Sequence, residues 1–185
     1  NGQVLFMPGK ISTDSDSIGI KIVSVYPDNS KLNLPAVPST MITVNEKTGI
    51  VNGILDGTYL TALRTAAIQG AATDILANKN SKIATLIGTG GQALEQARAL
   101  VTVRELKELR VVARNFEKTK EFVEILKKEL DDFDVNIIAY NNPNEDVTDS
   151  DIITTVTTSK TPTFSHEFVK SGVHINCIGS FTYEM

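Results

Sequence analysis

Residues 82–100 read Lys82-Ile-Ala-Thr-Leu-Ile-Gly-Thr-Gly-Gly-Gln-Ala-Leu-Glu-Gln-Ala-Arg-Ala-Leu100. The apolar run at 83–87 predicts a buried strand, and the alanine- and leucine-rich run that closes the segment predicts a helix. Between them lies Gly88-x-Gly90-x-x-Ala93, a turn that is typical of dinucleotide-binding domains when a strand precedes it and a helix follows it. The segment therefore predicts a strand–turn–helix unit that binds the phosphates of a dinucleotide.

Each residue type in this turn has a physical role in such a site. Gly88 permits the tight turn out of the strand, Gly90 lets a pyrophosphate approach the backbone, and Ala93 lets the helix pack closely on the sheet. The unpaired N–H groups at the start of the helix, with its positive dipole end, then face the phosphates. A plain strand–turn–helix without a ligand is the alternative, and the flanking strand and helix favour the cofactor. The predicted contacts are Gly88, Gly90, Gly91, Gln92 and Ala93.

The chain after this segment alternates strands with helices. Apolar runs predict strands at 109–113, 135–139, 151–156 and 173–178, and helices are expected at 116–130 and, as a short one, at 164–170. This alternation predicts an α/β fold with a Rossmann-type, doubly wound parallel sheet. Ligands of such sheets bind beyond the carboxyl ends of the strands. This rule adds further predicted cofactor contacts: Arg114, Asn115, Thr157, Cys177, Ile178 and Gly179.

The first third of the chain has a different pattern. Short apolar or alternating runs at 4–7, 18–26, 41–44 and 50–55 are separated by Pro, Asn, Asp and Gly, and they predict a mainly β region. An alanine-rich helix at 62–77 is expected to follow, with Thr61 as its N-cap. We therefore predict two domains. Residues 1–63 belong to a second, mainly β domain, and residues 64–185 form the nucleotide-binding domain.

The composition bounds the remaining possibilities. The chain has 185 residues, of which 41% are hydrophobic and 22% charged, as in an ordinary globular protein. Its net charge of −4 disfavours nucleic acid as a partner, and no apolar run approaches the roughly 18–20 residues of a membrane span. The single cysteine, Cys177, excludes an internal disulfide and favours a reducing, cytoplasmic location. Because the chain starts at Asn1 and stops at Met185 within a motif, we expect a fragment that is incomplete at both ends.

The end of the second predicted strand of the nucleotide-binding domain bears on the choice of cofactor. NAD-selective sites usually carry Asp or Glu there, to accept hydrogen bonds from the ribose 2′-hydroxyl. Here the residues are Ala113, Arg114 and Asn115. A guanidinium can pair with a 2′-phosphate, so the sequence favours NADP(H). The alternative is NAD(H), with Arg114 stacking on adenine or capping the next helix.

Motifs outside the glycine turn point to one family. Leu60-Thr-Ala-Leu-Arg-Thr-Ala-Ala67 resembles the Leu-Thr-x-x-Arg-Thr-Ala-Ala helix start of the ornithine cyclodeaminase/mu-crystallin family. Ile20-Lys-Ile-Val-Ser-Val-Tyr-Pro-Asp-Asn29 is similar to the lysine-bearing strand of that family. Further motifs match in order and spacing, and they are Thr48-Gly49, Gly88–Ala93, Asp151–Thr157 and Ile175–Ser180. The resemblance covers nearly the whole chain.

This resemblance implies a fold, an assembly and a substrate site. Family members are dimers with a Rossmann domain and a mainly β domain that forms the substrate site and the dimer contacts. Lys21 matches the lysine that binds the substrate carboxylate, Arg64 matches an arginine beside substrate and nicotinamide, and Lys10 stands near where the family usually has an arginine. Three cations suit a carboxylate anion. Arg64 is also expected in a first helical turn, where a cation is disfavoured unless an anionic ligand is bound.

The reaction that the resemblance implies is hydride transfer at the α-carbon of an amino acid or its imine, with Lys21 also assisting proton transfer. Cyclodeaminases convert ornithine to proline with release of ammonia, and ketimine reductases reduce cyclic imines such as pyrroline carboxylate. Phe181 replaces the Asp that cyclodeaminases use near the substrate amine, which favours a reductase. The alternatives are an alanine dehydrogenase-type oxidoreductase and a non-catalytic, NADP(H)-binding, mu-crystallin-like protein. No metal site is predicted, and His166 and His174 are given no role.

Overall fold

The computed structural model describes residues 2–12, 16–179 and 183, apart from the side chain of Ser30. Phe181, whose replacement of an Asp favoured a reductase, lies outside the described residues. The chain divides into two compact units, residues 1–63 and residues 64–185.

The first unit contains an antiparallel four-stranded sheet with its strands in chain order. A 3-10 helix at Pro27–Leu32 follows the second strand. The turn between the third and fourth strands is closed by Asn45, whose side-chain oxygen accepts hydrogen bonds from the backbone N–H groups of Lys47 and Thr48. The sheet confirms the mainly β character predicted for this part of the chain. Its strands are β1 (Gln3–Ile11), β2 (Ser17–Val25), β3 (Ser39–Val44) and β4 (Val51–Asp56).

Helix α1 (Gly57–Leu76) follows β4 directly. The predicted start at residue 62, with Thr61 as the N-cap, is wrong. Asp56 performs the capping, because its carboxylate accepts a hydrogen bond of 2.6 Å from the backbone N–H of Thr58. Thr61 instead lies inside the helix, where its hydroxyl is 3.0 Å from the hydroxyl of Ser39.

The second unit contains a parallel five-stranded sheet in the order β7-β6-β5-β8-β9. The chain enters at the central strand, builds one half outward, and returns to build the other, so the predicted doubly wound sheet is confirmed. The apolar runs of these strands are nearly continuous because both faces of the sheet are covered. The strands are β5 (Ile83–Ile87), β6 (Glu108–Val112), β7 (Asn136–Tyr140), β8 (Ile152–Thr155) and β9 (His174–Cys177).

Three helices follow strands of this sheet, namely α2 (Ala93–Val103), α3 (Phe116–Glu129) and α4 (Pro143–Asp146). Leu100 and Leu126, from α2 and α3, are fully buried with Leu86 of β5 in the main core. The short helix expected at 164–170 is a 3-10 turn of His166–Phe168. Helix α4 was not predicted, because four residues show no helical periodicity. None of the helices in the described part of the chain is long and apolar enough to cross a membrane.

Arg104 fixes the end of α1. It is 5% exposed, and its guanidinium donates to the carbonyl oxygens of Thr73 and Ala77 at 2.9 Å each. A further bond of 2.8 Å reaches the carboxylate of Asp74. The last carbonyls of a helix have no partner within the helix. Arg104, which follows α2, therefore adds hydrogen bonds to the carbonyl end of α1 and joins it to the end of α2.

Candidate functional site

Three loops at the carboxyl edge of the parallel sheet pack against one another. Gly88, after β5, has φ +112, and a Cβ added there would overlap the carbonyl oxygen of Val156, after β8. A Cβ added at Gly179, after β9, would lie 2.6 Å from the carbonyl oxygen of Thr157. Only glycine fits at these two positions, since the neighbouring backbone occupies the space of a side chain. The loops after β5, β8 and β9 thus form one contiguous edge.

The glycine turn leaves open space where a ligand can approach. A Cβ added at Gly90 or Gly91 would meet nothing within 4 Å. Helix α2 begins after Gln92, whose side chain makes no capping hydrogen bond. The Gln92 side-chain oxygen is buried and has no hydrogen-bond partner among the described residues. Ala93, by contrast, is fully buried, as close packing of the helix on the sheet requires.

These features fit the pyrophosphate of a dinucleotide. The turn exposes backbone beside an uncapped helix start, where free N–H groups and the helix dipole favour an anion. Gly88 and Ala93, at the two ends of the turn, are buried, whereas Gly90 and Gly91 between them are exposed. The fit rests on Gly88, Gly90, Gly91 and the first turn of α2.

The loop after β6 offers a cation at the expected cofactor position. Arg114 is exposed, and it makes no hydrogen bond or ion pair with any residue that the structure describes. The side-chain oxygen of Asn115 accepts a hydrogen bond of 3.0 Å from the backbone N–H of Lys118, so Asn115 caps α3. Capping, which the sequence analysis considered as an alternative role for Arg114, therefore belongs to its neighbour.

The loops after β8 and β9 hold the remaining predicted cofactor contacts. Thr157 is half-buried, and its hydroxyl accepts a hydrogen bond of 3.2 Å from the backbone N–H of Ser159. Ile178 is half-buried as well. Cys177 was predicted to be a small buried residue beside the nicotinamide pocket, and this prediction is wrong, because Cys177 is exposed. Asn176 points into the unit, and residues of a strand alternate between its faces, so Cys177 points outward.

The sheet of the first unit does not bring Lys10 and Lys21 together. Lys10 of β1 lies opposite Ile18 of β2, whereas Lys21 lies opposite Met7. Positions 18 and 21 of one strand face opposite sides of a sheet, so the two lysines do as well. Lys21 is half-buried, and Lys10 is exposed.

Lys21 shares its face with Ser39. Ser39 lies opposite Val23, two residues from Lys21 along β2. The hydroxyl of Ser39 contacts Thr61 of α1, and its backbone N–H donates to the hydroxyl of Thr58 at 3.1 Å. Lys21 therefore projects from the face of the sheet on which α1 begins.

Arg64 lies on the exposed side of α1, before the part of that helix that contacts α2. A Cβ added at Gly70 would lie 3.4 Å from the Cβ of Ala99, and Arg104 reaches Thr73 farther along α1. Arg64 lies six residues before Gly70 in α1.

The expected conflict between Arg64 and the helix dipole is not found. Arg64 was expected in a first helical turn, where a cation conflicts with the helix dipole. Since α1 begins at Gly57, Arg64 lies about two turns inside the helix, and no such conflict exists there. The role proposed for Arg64 therefore depends on its match to the Arg-Thr-Ala-Ala motif.

A buried polar cluster surrounds Asn176, and it was not predicted from the sequence. His174, which was given no role, has its Nε2 atom 3.0 Å from the side-chain oxygen of Asn176. Two fully buried threonines, Thr73 and Thr154, accept hydrogen bonds from the amide nitrogen of Asn176. Polar residues inside an apolar strand and an alanine-rich helix were the available signal. No group of three or more His, Cys, Asp or Glu residues within the described ranges could hold a metal ion.

Comparison with known proteins agrees with this architecture. The sequence profile described as the ornithine cyclodeaminase/mu-crystallin family matches residues 1–184. The chain is 36% identical over 181 residues to a Delta(1)-pyrroline-2-carboxylate reductase of Bacillus cereus, covering 98% of this chain and 54% of that protein. It spans about half the length of such relatives.

Two solved structures are similar as well. One is Delta(1)-pyrroline-2-carboxylate reductase of Thermococcus litoralis in complex with NADH and L-proline, with a TM-score of 0.84 and 32% identity over 95% of this chain and 58% of that one. The other is a lysine cyclodeaminase studied for its recognition of L-lysine, L-ornithine and L-2,4-diaminobutyric acid. Its TM-score is 0.79, with 27% identity over 95% of this chain and 53% of that one.

Proposed function

Because the chain belongs to the ornithine cyclodeaminase/mu-crystallin family, we propose that the whole protein catalyses NAD(P)-dependent hydride transfer at the α-carbon of a small amino acid or cyclic imino acid. The observation that carries this proposal is the edge formed by the loops after β5, β8 and β9, with the open glycine turn beside α2. Such an edge is where doubly wound sheets bind dinucleotides. A nicotinamide bound there would supply or accept the hydride.

The favoured reaction is the reduction of a cyclic imine such as pyrroline-2-carboxylate. The C=N carbon gains a hydride and the nitrogen gains a proton, which gives a cyclic amino acid. We assign the substrate carboxylate to Lys21 and Arg64, since charge-assisted hydrogen bonds orient an anion strongly. Lys21 can also assist transfer of the proton. The similarity to a pyrroline-2-carboxylate reductase over 98% of this chain supports imine reduction as the reaction. Lys10 lies on the opposite face of the sheet from Lys21, so the proposal does not depend on it.

We propose NADP(H) as the preferred cofactor. Arg114 is exposed at the end of β6, Ala113 takes the place of a carboxylate, and Asn115 is committed to capping α3. A free guanidinium there can pair with a 2′-phosphate. NAD(H) is the second candidate, because the similar reductase of Thermococcus litoralis was solved with NADH.

Cyclodeamination of ornithine, a lyase reaction that gives proline and ammonia, is the second candidate reaction. The similarity to a lysine cyclodeaminase supports it. Phe181 favours the reductase, since a phenyl ring neither accepts a proton nor a hydrogen bond. An alanine dehydrogenase-type reaction and a non-catalytic NADP(H)-binding role are the remaining alternatives. Retention of Lys21 and Arg64 favours an enzyme over the non-catalytic role.

We also propose a homodimer located in the cytoplasm. The sheet of the first unit leaves large apolar side chains exposed on both faces, with Phe6 at 65% and Ile54 at 72% on one face and Leu5 at 46% and Leu55 at 50% on the other. Apolar surface of this kind is typical of a protein interface. The single Cys177 suits a reducing compartment.

The test uses the full-length protein. Oxidation of NADPH and of NADH is followed by absorbance with pyrroline-2-carboxylate, and proline formation from ornithine is measured separately with NAD. We expect rapid oxidation of NADPH, slower oxidation of NADH, and no proline from ornithine. In Arg114→Ala, the advantage of NADPH should shrink by about 10- to 100-fold, as expected for loss of a charge-assisted hydrogen bond. Proline from ornithine would identify a cyclodeaminase instead, and no turnover in any assay would contradict the enzymatic proposal.

A further inference from the structure

A buried polar cluster joins α1 to strands β8 and β9. Asn176 of β9 is 8% exposed, and its amide nitrogen donates to the hydroxyl oxygens of Thr73 at 2.9 Å and Thr154 at 3.2 Å. Gln69, one turn before Thr73 in α1, donates to the same threonine oxygen at 3.2 Å. The three elements that meet here are thus held by side-chain hydrogen bonds as well as by packing.

The amide of Asn176 is used at all three of its polar positions. Both N–H groups point to threonine hydroxyls, so its oxygen accepts from the Nε2–H of His174 at 3.0 Å. A buried polar group is costly unless it is hydrogen-bonded, so the complete pairing of the Asn176 amide stabilises this packing. Aspartate lacks the two donors, and leucine lacks every polar atom. The cluster therefore requires an asparagine at this position. The side-chain oxygen of Gln69, in contrast, is buried and has no partner among the described residues.

The cluster lies between two parts of the proposed site. Asn176 precedes the loop of Ile178 and Gly179, and Thr154 precedes the loop of Val156 and Thr157. On the other side, Thr73 lies nine residues after Arg64 in the same helix. At 1.5 Å per residue this separation is about 13.5 Å of rigid helix. Any shift of α1 on the sheet would therefore move Arg64 relative to these loops.

We propose that Asn176 is a positioning residue for hydride transfer, which it serves by fixing α1, and with it Arg64, relative to the loops after β8 and β9. This proposal rests on the proposed function. Asn176 acts through Arg64 and touches neither reactant. No member of the cluster belongs to the glycine turn or to the start of α2, so we expect loss of the cluster to affect kcat/KM more than the affinity for the cofactor.

The closing experiment is a double-mutant cycle on the full-length protein with NADPH and pyrroline-2-carboxylate. Wild type is measured first, and absence of turnover there would mean that the proposed function, and this inference with it, is wrong. Given turnover, Asn176→Leu should lower kcat/KM by about 10- to 100-fold, as small misplacements of catalytic groups do. The Kd for NADPH should stay within about twofold. In the Arg64→Ala background, the same substitution should change kcat/KM by less than about threefold.

A second pair of variants guards against loss of folding in Asn176→Leu. Thr73→Ser keeps the hydroxyl and should retain wild-type kcat/KM, whereas Thr73→Val keeps the shape without the hydroxyl and should show the loss. Full additivity of Asn176→Leu with Arg64→Ala would overturn the inference. Equal activity of the two Thr73 variants would overturn it as well, because the hydroxyl would then have no part in positioning.

Discussion

Two glycines of the same turn differ in what a side chain would meet. Gly88 has φ +112 and lies against the carbonyl of Val156, whereas Gly90 faces open space. Gly88→Ala should therefore lower the free energy of unfolding by about 1–3 kcal/mol from backbone strain alone. Gly90→Ala should leave stability within about 0.5 kcal/mol of wild type, as a surface substitution does, and still weaken cofactor binding because the methyl group occupies the path of the pyrophosphate.

Urea unfolding followed by circular dichroism, together with NADPH titration, separates the two effects. Both variants should bind NADPH more weakly, and only Gly88→Ala should unfold at lower urea. Unchanged NADPH affinity in Gly90→Ala would place the pyrophosphate elsewhere.

At the scale of single residues, the sequence predicted roles where local chemistry sets them. The turn at Gly88 and the buried Ala93 follow from the motif, since backbone conformation and close packing are local requirements. The expectation that Arg64 lies in a first helical turn was wrong, because it depended on where the helix begins. That start is set by the capping carboxylate of Asp56, which the pattern of apolar residues does not reveal.

One carboxylate joins the starts of two strands. Asp151, just before β8, accepts hydrogen bonds from the backbone N–H groups of Lys82 and Ile83 at 2.6 and 2.9 Å, and from the Lys170 ammonium at 2.6 Å. Burial pushes the pKa of Asp151 upward, but the hydrogen bonds from Lys170 and the two backbone groups outweigh it and lower the pKa below the ordinary value of 3.8. The ionised form therefore stabilises the meeting of β5 and β8.

The pH dependence follows from this lowered pKa. The contribution of Asp151 is fully present above its unfolded value of 3.8 and is lost as the pH falls through the lower folded value. Asp151→Asn should cost about 1–3 kcal/mol at neutral pH, and the difference from wild type should shrink in acid. Asp134→Asn is the matched control, since the Asp134 side chain is fully exposed. Urea unfolding at neutral and acidic pH makes the comparison, and a constant difference would contradict it.

The inner strands β5, β6 and β8 were predicted well because they are largely buried and their sequences are mostly apolar. Predicted and observed bounds agree for β5 and differ by only a residue or two for the other four strands. The 3-10 turn at His166–Phe168 and the four-residue helix α4 are too short to show a period. Their positions depend on contacts such as the bond from the Ser165 backbone N–H to the Asn144 side chain.

At the scale of the molecule, sequence rules predicted which loops meet but not which side chains join them. The order of a doubly wound sheet places the loops of Gly88, Thr157 and Gly179 at one edge. The bond between Asn176 and Thr73 spans 103 residues, and no periodicity or motif indicates such a pair. It becomes visible only when helix and sheet are packed.

Lys21 and the proposed contacts of the cofactor belong to different units of the chain. Lys21, assigned to the substrate carboxylate, belongs to the first unit, while the glycine turn and Arg114 belong to the second. Lys21→Ala should therefore lower kcat/KM for pyrroline-2-carboxylate by about 100-fold, the value of a lost charge-assisted hydrogen bond, and leave the Kd for NADPH unchanged. Lys47→Ala, in the turn between β3 and β4, removes an exposed lysine of the same unit and should match wild type in both measurements. Undiminished turnover in Lys21→Ala would refute the carboxylate role. A loss of NADPH affinity in the same variant would mean that Lys21 also contributes to cofactor binding.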